Sequence, residues 1–371
     1  MADRLRIRLS TYSTKPRGGV VHTLALAEAL ACAGHDVAVY SLARGGDTGF
    51  FRPVDPRVRV HLVPVPDLDG ETVGARILRS IDLLAEALSR APGTEIRHAQ
   101  DCLSANAEGR AFGYRSLLRT VHHVDDFSTP ELVACHERAI ASPAALVCVS
   151  RAVAAEVRAG WGRDATVIGN GVDAARFAGA DGTPWRERLG RYVLSVGGIE
   201  PRKGTADLVE AMALVPRLRL VVGGGETLFD YRDYRASVLA RADELGVTPE
   251  ILGPVADDDL PGLVAGAAAF AFPSVKEGFG LAAMEALAAG VPLVARDLPV
   301  LREVFGPAAR FATDPAGFAA ELTAAVSRPD PVRERAGREL AARHSWSAAA
   351  EGHVRLYREF AATGSACSSG P

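Results

Sequence analysis

Lysine is scarce in this 371-residue chain, which draws its positive charge almost entirely from arginine. Only Lys15, Lys203 and Lys276 occur, and each lies among glycine or proline residues that favour loops. A coding bias toward arginine explains the scarcity, whereas a shared ligand would explain the placement. The formal net charge is −3 and no long basic stripe is present. A broad non-specific surface for nucleic acid is therefore excluded.

Cysteine pairs and long apolar runs are also missing. None of the five cysteines forms a C-x-x-C pair or a metal-ligand spacing, and the odd count in a chain of this size fits a reduced, cytoplasmic setting. The charged first residues do not resemble a signal peptide. No segment approaches the roughly 18 apolar residues that a transmembrane helix needs. We therefore expect at most peripheral contact with a membrane.

Hydrophobic periodicity predicts alternating strands and helices along most of the chain. Leu5 to Ser10 has the pattern of a strand, a loop containing Gly18 and Gly19 follows, and Val20 to Ala33 has a helical period. Similar units recur, and a second series begins with the strand-like Tyr192 to Val196. This order predicts an α/β protein with two doubly wound, Rossmann-like domains facing a cleft.

The same pattern suggests where the domains end. We expect an N-terminal domain over residues 1–180 and a C-terminal domain over residues 187–346, joined by a segment rich in glycine and alanine. A last helix, residues 347–361, would pack back on the first domain. The small residues of 362–371 predict a disordered tail.

The segment from Glu277 to Glu285 is the most informative part of the second domain. It follows an apolar, strand-like run and passes through two glycines into a helix. The free N–H groups at a helix start attract phosphate, and nearby carboxylates suit a ligand rich in hydroxyl groups. The alternative is a surface turn whose acids decorate a helix start. Gly278 and Gly280, which allow close approach of the backbone, favour the ligand.

This segment resembles the E-x7-E signature of the family 4 retaining glycosyltransferases of GT-B fold. Further segments similar to the family's occur in the same order: Gly18-Gly19, Asn170-Gly171-Val172-Asp173, Glu200-Pro201-Arg202-Lys203-Gly204 and Gly223-Gly224-Gly225. The resemblance implies transfer of a hexose from a nucleoside-diphosphate sugar to a hydroxyl acceptor with retained configuration. The first domain would bind the acceptor and the second the donor.

The resemblance also implies roles for single residues of the segment. Glu285 would hydrogen-bond the ribose hydroxyls of the nucleotide, and Glu277 would contact the transferred sugar near its reacting carbon. The sugar hydroxyls and the diphosphate would meet backbone N–H groups beside Gly278, those of Phe279, Gly280 and Leu281. No metal ion or other cofactor is implied.

Two cations would serve the diphosphate. Lys203 would neutralise it as the leaving group gains charge. Many family members have an arginine where this chain has Gly198, so its additional cation is Arg202. Arg202 either faces the phosphates or remains a solvated loop residue. Lys203 precedes Gly204, which is the reverse of the order in a P-loop, and an ATPase is therefore not predicted.

In the first domain, Gly18 and Gly19 would let the backbone approach the donor phosphates, unless they merely join a loop to a helix. His122 matches a family histidine that contacts the donor sugar, with His123 as the second choice. Alternation along a strand puts only one of these two side chains into the cleft. A metal site at this cluster is a weaker alternative.

The partners implied are a sugar nucleotide and a small-molecule, glycan or lipid acceptor, and the oligomeric state is left open. The amphipathic segment Ala75 to Arg90 would face either the core or an acidic lipid surface. Two other functions remain open at this point. One is a sugar-nucleotide epimerase or a phosphorylase of the same fold, and the other is a non-catalytic protein that binds sugar nucleotides.

Overall fold

The structure is a computed structural model that describes residues 4–225 and 231–367. It divides into two compact units, residues 1–171 with 346–371, and residues 172–345. Residues 172–180, which the sequence analysis assigns to the first domain, group with the second unit. The reason is that the short helix Ala174–Ala178 packs on three helices of that unit.

The first unit is built on one parallel sheet. Its strands are β1 (Arg6–Thr11), β2 (Asp36–Arg44), β3 (Val58–Val65), β4 (Ile96–Ala99), β5 (Leu117–Val121), β6 (Ala145–Cys148) and β7 (Thr166–Val167). In space they follow the order β3-β2-β1-β4-β5-β6-β7. The connecting helices are α1 (Gly18–Cys32), α2 (Val73–Ser89), α3 (Cys102–Phe112), α4 (Pro130–Ala141) and α5 (Arg151–Trp161).

One face of this sheet has an apolar core and the other has buried charge. Ile7 and Leu9 of β1 pack with the apolar face of α1. On the opposite face, Arg8 donates two hydrogen bonds of 2.9 and 3.0 Å to Glu108, and Arg97 lies 4.0 Å from the same carboxylate. Such pairing is what allows charged side chains to be buried.

This buried charge explains why the sequence analysis did not predict β4. All four of its residues are buried, yet two of them are Arg97 and His98. The strand therefore lacks the apolar run by which a central parallel strand is normally recognised.

The second unit repeats the architecture. Its strands are β8 (Tyr192–Val196), β9 (Arg219–Gly223), β10 (Glu250–Gly253), β11 (Ala269–Phe272), β12 (Leu293–Arg296) and β13 (Ala309–Ala312), in the spatial order β10-β9-β8-β11-β12-β13. Its helices are α6 (Ala174–Ala178), α7 (Thr183–Leu189), α8 (Thr205–Ala213), α9 (Arg232–Glu244), α10 (Leu260–Gly266), α11 (Leu281–Ala288), α12 (Pro299–Phe305), α13 (Pro315–Ser327) and α14 (Pro331–Arg343). In both sheets the first strand is central and the order reverses beside it. The prediction of two doubly wound, Rossmann-like sheets is thus confirmed.

The last helix, α15 (Trp346–Cys367), belongs to the first unit and packs on α1. Val354 and Tyr357 are buried in the same core as β1. The helix continues six residues into the segment predicted to be a disordered tail. Residues 368–371 of that predicted tail lie outside the described residues.

Helix α2 buries its apolar face within the first unit. Ile77, Ile81, Leu84 and Leu88 are buried, as the core-facing alternative predicts. Across the residues that the structure describes, no helix has both the length and the hydropathy required to cross a bilayer.

Candidate functional site

In the second unit, two loops carry the residues that the sequence analysis selected. One loop follows β8 and contains Arg202 and Lys203, and the other follows β11 and contains Glu277. Strands β8 and β11 are paired in parallel. Their carboxyl ends therefore lie side by side, at the edge where ligands bind in such sheets.

Two contacts join these loops, and a third fixes the second loop to the end of β12. The backbone N–H of Val275 donates to the carbonyl oxygen of Arg202 at 2.9 Å. The Nε atom of Arg296, at the end of β12, donates to the carbonyl oxygen of Pro273 at 3.1 Å. Gly204, with φ of 65°, packs so closely that an added Cβ would lie 2.2 Å from the same carbonyl oxygen. Only glycine fits there, because both the φ angle and the space exclude a side chain.

The two predicted cations converge on one carboxylate. The Nζ atom of Lys203 lies 2.5 Å from Oε1 of Glu277, and Nη1 of Arg202 lies 3.2 Å from the same oxygen. The side chains of Glu277, Lys203 and Arg202 are 10%, 19% and 27% exposed. Arg202 also contacts Glu200 at 3.3 Å. The Arg202 side chain therefore packs against the carboxylates of Glu277 and Glu200 instead of extending into solvent.

The start of α11 lies on the same loop as Glu277. Gly280, with φ of 96°, precedes the helix, which has no side-chain cap and no acid in its first turn. The first N–H groups, which in any helix lack an intrahelical acceptor, therefore have no side-chain cap either. An added Cβ on Gly280 would lie 3.0 Å from the ring of Phe305, while Phe279 is buried with its ring 5.7 Å from that of His344. A helix start of this kind, beside two cations, suits a phosphate group.

Glu285 lies in α11, where burial and neighbouring charges shift the pKa of its carboxyl group. Burial raises the pKa of Glu285 to about 8, and the charge of Arg176 opposes that rise. Arg176 is held by Asp257, at 2.8 Å, and by the Asp173 side chain, which caps the start of α6. Arg176 was not among the residues predicted for the site from the sequence. The aspartate three residues before it was the available signal.

In the first unit, the predicted residues are Gly18, Gly19 and His122. The two glycines are the first residues of α1, and Arg17 before them makes no side-chain cap. The His122 ring lies against Gly19, where an added Cβ would be 3.4 Å from Cδ2. The pKa of His122 is held well below its usual range, first by burial and then by the charge of His22. His122 is therefore a neutral imidazole beside a helix start.

His123, the second choice of the sequence analysis, has a different environment. Its Nε2 atom lies 2.8 Å from Asp125. The ring of His22, in contrast, is 4.8 Å from that of His122, and its Nδ1 atom lies 2.9 Å from Oδ1 of Asn170. Of the two adjacent histidines, only His122 therefore lies against the start of α1.

His22 and His122 belong to a buried histidine cluster that the sequence analysis missed. The ring of His353, on α15, is 6.1 Å from His22 and 5.6 Å from His98. The Nδ1 atom of His98 lies 2.7 Å from the Tyr357 hydroxyl. Burial lowers the pKa of His22 to about 3 and that of His353 to about 4. These residues are scattered along the sequence, so no local motif signals the cluster.

Buried polar atoms without partners lie directly after β4 and within β5. Gln100 is 1% exposed, and neither its Oε1 nor its Nε2 atom has a hydrogen-bond partner among the described residues. The same is true of the Nε atom of the buried Arg119. Buried polar groups normally have partners, so these atoms are available to a ligand or to water. In the described part of the chain, no three His, Cys, Asp or Glu side chains gather as a metal site.

The chain matches two family descriptions, one in each unit. "Glycosyltransferase Family 4" matches residues 16–176, and "Glycosyl transferases group 1" matches residues 187–340. The second match contains Arg202, Lys203, Glu277 and Glu285, and the first contains Gly18, Gly19 and His122.

Sequence relatives include mannosyltransferases of Mycobacterium and Mycolicibacterium species. The chain is 33% identical, over 217 residues, to the phosphatidyl-myo-inositol mannosyltransferase of Mycobacterium leprae (strain TN). That match covers 55% of this chain and spans only about half, 56%, of the relative. The corresponding protein of Mycolicibacterium smegmatis is 29% identical over 384 residues, with 95% of this chain and 93% of the relative covered.

Among solved structures, a sucrose-phosphate synthase from Thermosynechococcus elongatus superimposes with a TM-score of 0.77 at 21% identity. The superposition covers 97% of this chain and 100% of that structure. At this identity the likeness establishes the fold, which is GT-B. The two family matches take in most of both units, and the protein belongs to glycosyltransferase family 4, the glycosyl transferases group 1.

Proposed function

We propose that this protein is a retaining glycosyltransferase that moves a hexose-type sugar from a nucleoside-diphosphate sugar to a hydroxyl acceptor. The observation that carries the proposal is the convergence of Arg202 and Lys203 on Glu277, beside the uncapped start of α11. Two cations and a helix start form a site for a diphosphate, because each stabilises negative charge. The carboxylate between them suits the hydroxyls of a sugar.

On binding of the donor, Lys203 and Arg202 would exchange the carboxylate of Glu277 for the oxygens of the diphosphate. In the structure, both cations contact the carboxylate of Glu277. Diphosphate oxygens would attract Lys203 and Arg202, and the freed oxygen of Glu277 would accept a hydrogen bond from the sugar. Glu285 would contact the ribose. Its raised pKa keeps the carboxyl protonated near pH 7, and this form both donates and accepts hydrogen bonds.

The proposed reaction is a front-face substitution at the anomeric carbon. The bond from that carbon to the diphosphate oxygen breaks, and the acceptor oxygen bonds to the carbon on the same face. The acceptor proton passes to the departing diphosphate oxygen, so the charges balance. Lys203 and Arg202 would stabilise the charge that develops on the leaving group. The proposed contribution of the first unit is the helix start at Gly18 and Gly19, with the neutral imidazole of His122.

The relatives suggest which sugar to test first. Two mycobacterial relatives are named as phosphatidyl-myo-inositol mannosyltransferases. We therefore propose mannose as the transferred hexose and a hydroxyl of a phosphate-bearing molecule as one class of acceptor.

A screen of sugar nucleotides tests the proposal. The purified protein would be mixed with UDP-, GDP- and ADP-sugars, GDP-mannose and UDP-glucose among them, and thermal shift, donor hydrolysis and product mass would be measured. We expect one nucleotide class to stabilise the protein and to be hydrolysed slowly, and transfer to add one hexose to an acceptor. A product of unchanged mass would indicate an epimerase instead. Binding without hydrolysis, and with no difference between the wild type and Glu277→Gln, would indicate a non-catalytic binding protein. If no sugar nucleotide binds, the proposal is wrong.

A further inference from the structure

Three arginines of the first unit have no carboxylate partner among the described residues. Arg17 lies in the loop after β1, Arg44 is the last residue of β2, and Arg76 lies in the first turn of α2. Arg79, one turn further along α2, is by contrast paired with Glu71 at 2.6 Å. Most other arginines in this region form ion pairs with a carboxylate, and these three do not.

Arg44 is the arginine whose charge interacts with both of the others. The Nη2 atom of Arg44 donates to the Ser80 hydroxyl at 3.0 Å, and Ser80 is one helical turn beyond Arg76 on the same face of α2. The guanidinium of Arg17 lies 5.8 Å from the centre of the Tyr12 ring. The pKa of Arg44 is lowered, first by burial and then by the charge of Arg76, and Arg17 contributes in the same direction. The charge of Arg44 is therefore repelled by those of Arg76 and Arg17, and the nearby acid, Glu71, is already paired with Arg79 while its charge also interacts with Arg76 and Arg44.

A bound anion would lower the energetic cost of this arrangement. The Nε atoms of Arg17 and Arg44 are buried and have no acceptor in the part of the chain that the structure describes. Burial of an unpaired cation is unfavourable, and like charges add to that cost. A phosphate group has several oxygens and can accept paired hydrogen bonds from more than one guanidinium. It would satisfy the buried donors and remove the repulsion.

We propose that the first unit binds the acceptor through a phosphate group held by Arg17, Arg44 and Arg76. This inference rests on the proposed function, in which the first unit holds the acceptor. Arg17 immediately precedes Gly18, which is proposed to meet the donor. Arg44 and Arg76 belong to other elements, so variants at these two positions separate the acceptor from the donor. The phosphate belongs either to a soluble phosphorylated molecule or to a lipid headgroup.

Direct binding measurements test the inference and distinguish the two sources. Inorganic phosphate and myo-inositol 1-phosphate would be titrated by calorimetry. Sedimentation with phosphatidylcholine vesicles, with or without phosphatidylinositol, would probe the lipid. We expect binding in at least one arm, weakened about tenfold or more in Arg44→Gln and in Arg76→Gln, since each removes charged hydrogen bonds. The matched control is Arg59→Gln, whose arginine is exposed on β3 and paired with Asp36. It should bind like the wild type.

Nucleotide binding in the same variants shows whether a failure concerns the fold, the donor or the acceptor. Arg44→Gln and Arg76→Gln should bind UDP or GDP as the wild type does. The inference is overturned if the wild type binds none of the phosphate probes, or if both variants retain full affinity for them. The proposed function survives that result as long as sugar nucleotides are bound and hydrolysed. If no sugar nucleotide is bound or hydrolysed, the proposed function itself fails, whatever the phosphate titrations show.

Discussion

The Nζ atom of Lys203 lies 2.5 Å from Oε1 of Glu277, the same oxygen that Arg202 contacts at 3.2 Å. The two cations of the proposed diphosphate site are therefore held in ion pairs with a carboxylate of the protein itself. On the proposed function, a donor diphosphate would therefore compete with Glu277 for both cations. The competition gives Glu277 two separable effects, one on nucleotide affinity and one on sugar transfer.

The change of Glu277 to glutamine should affect these two properties in opposite directions. A neutral amide holds Lys203 and Arg202 less strongly, so a nucleoside diphosphate should bind several-fold more tightly. Sugar transfer should fall about 10²- to 10³-fold, because the charged contact to the reacting sugar is lost. Titration calorimetry with UDP or GDP and a transfer assay measure the two effects.

Glu244→Gln is the matched control for this change, since Glu244 lies on α9 in an exposed pair with Arg241. It should alter neither property. Weaker nucleotide binding in Glu277→Gln would contradict the proposed competition.

The change of Lys203 to methionine should weaken both nucleotide binding and catalysis. Methionine retains much of the apolar side chain and removes the charge that lies 5.6 Å from the Phe272 ring. We expect kcat to fall about 10²- to 10³-fold and nucleotide affinity to fall about tenfold. Arg202→Met should be milder, because Arg202 is more exposed and shares its charge with Glu200.

Arg302→Met, at an exposed ion pair with Asp297, is the control for loss of a cation in the same unit. Steady-state kinetics with varied donor concentration would separate kcat from KM. A variant of Lys203 with unchanged kcat would remove this residue from the proposed chemistry.

The raised pKa of Glu285 predicts that the stability of the folded protein depends on pH. Its pKa is raised from 4.5 to about 8 in the folded protein, so the folded state holds its proton more tightly than the unfolded state does. The stabilisation is fully present below pH 4.5 and is lost as the pH rises toward 8. Glu285→Gln, which cannot ionise, should therefore have nearly the wild-type Tm at pH 4.5 and a higher Tm than the wild type at pH 8.5.

Thermal unfolding of both proteins at several pH values checks this result. In Arg176→Met the opposing charge is removed, which should raise the pKa of Glu285 further and lower the Tm at pH 8.5. An equal Tm difference between Glu285→Gln and the wild type at all pH values would contradict the argument.

A substitution of Gly204 tests whether its close contact with Pro273 holds the two loops together. Gly204→Ala adds a Cβ that would lie 2.2 Å from the Pro273 carbonyl oxygen, in addition to the strain of a φ of 65°. We expect the free energy of unfolding to fall by about 2–5 kcal/mol. Gly246 has a φ of 69° with nothing within 4 Å of an added Cβ.

Gly246→Ala should therefore show the backbone strain alone, about 1–2 kcal/mol. Denaturant titration of both variants separates the clash from the strain. Equal losses in the two variants would mean that the contact with Pro273 does not hold the loops together.

Much of the fold was predictable because most strands have apolar runs of ordinary length. The strand β8 was predicted with the bounds that the structure gives, Tyr192–Val196. The strand β4 was missed because Arg97 and His98 are buried through partners distant in sequence, Glu108 and Tyr357. Local periodicity carries no information about such partners.

The candidate site was predictable as a set of residues but not as a set of contacts. The segments around Lys203 and Glu277 were recognisable from the sequence. Their meeting depends on the parallel pairing of β8 with β11 and on the space left by Gly204, which only the fold supplies. The cluster of Arg17, Arg44 and Arg76 was missed for a similar reason, since its members lie on three different elements.

The most direct test of the proposed function is the mass of the product formed from GDP-mannose or another sugar nucleotide in the presence of an acceptor. The account predicts an acceptor whose mass has increased by one hexose, released nucleoside diphosphate in equal amount, and loss of both in Lys203→Met. A wild-type protein that binds no sugar nucleotide, or that forms no product from any of them while properly folded, would contradict it.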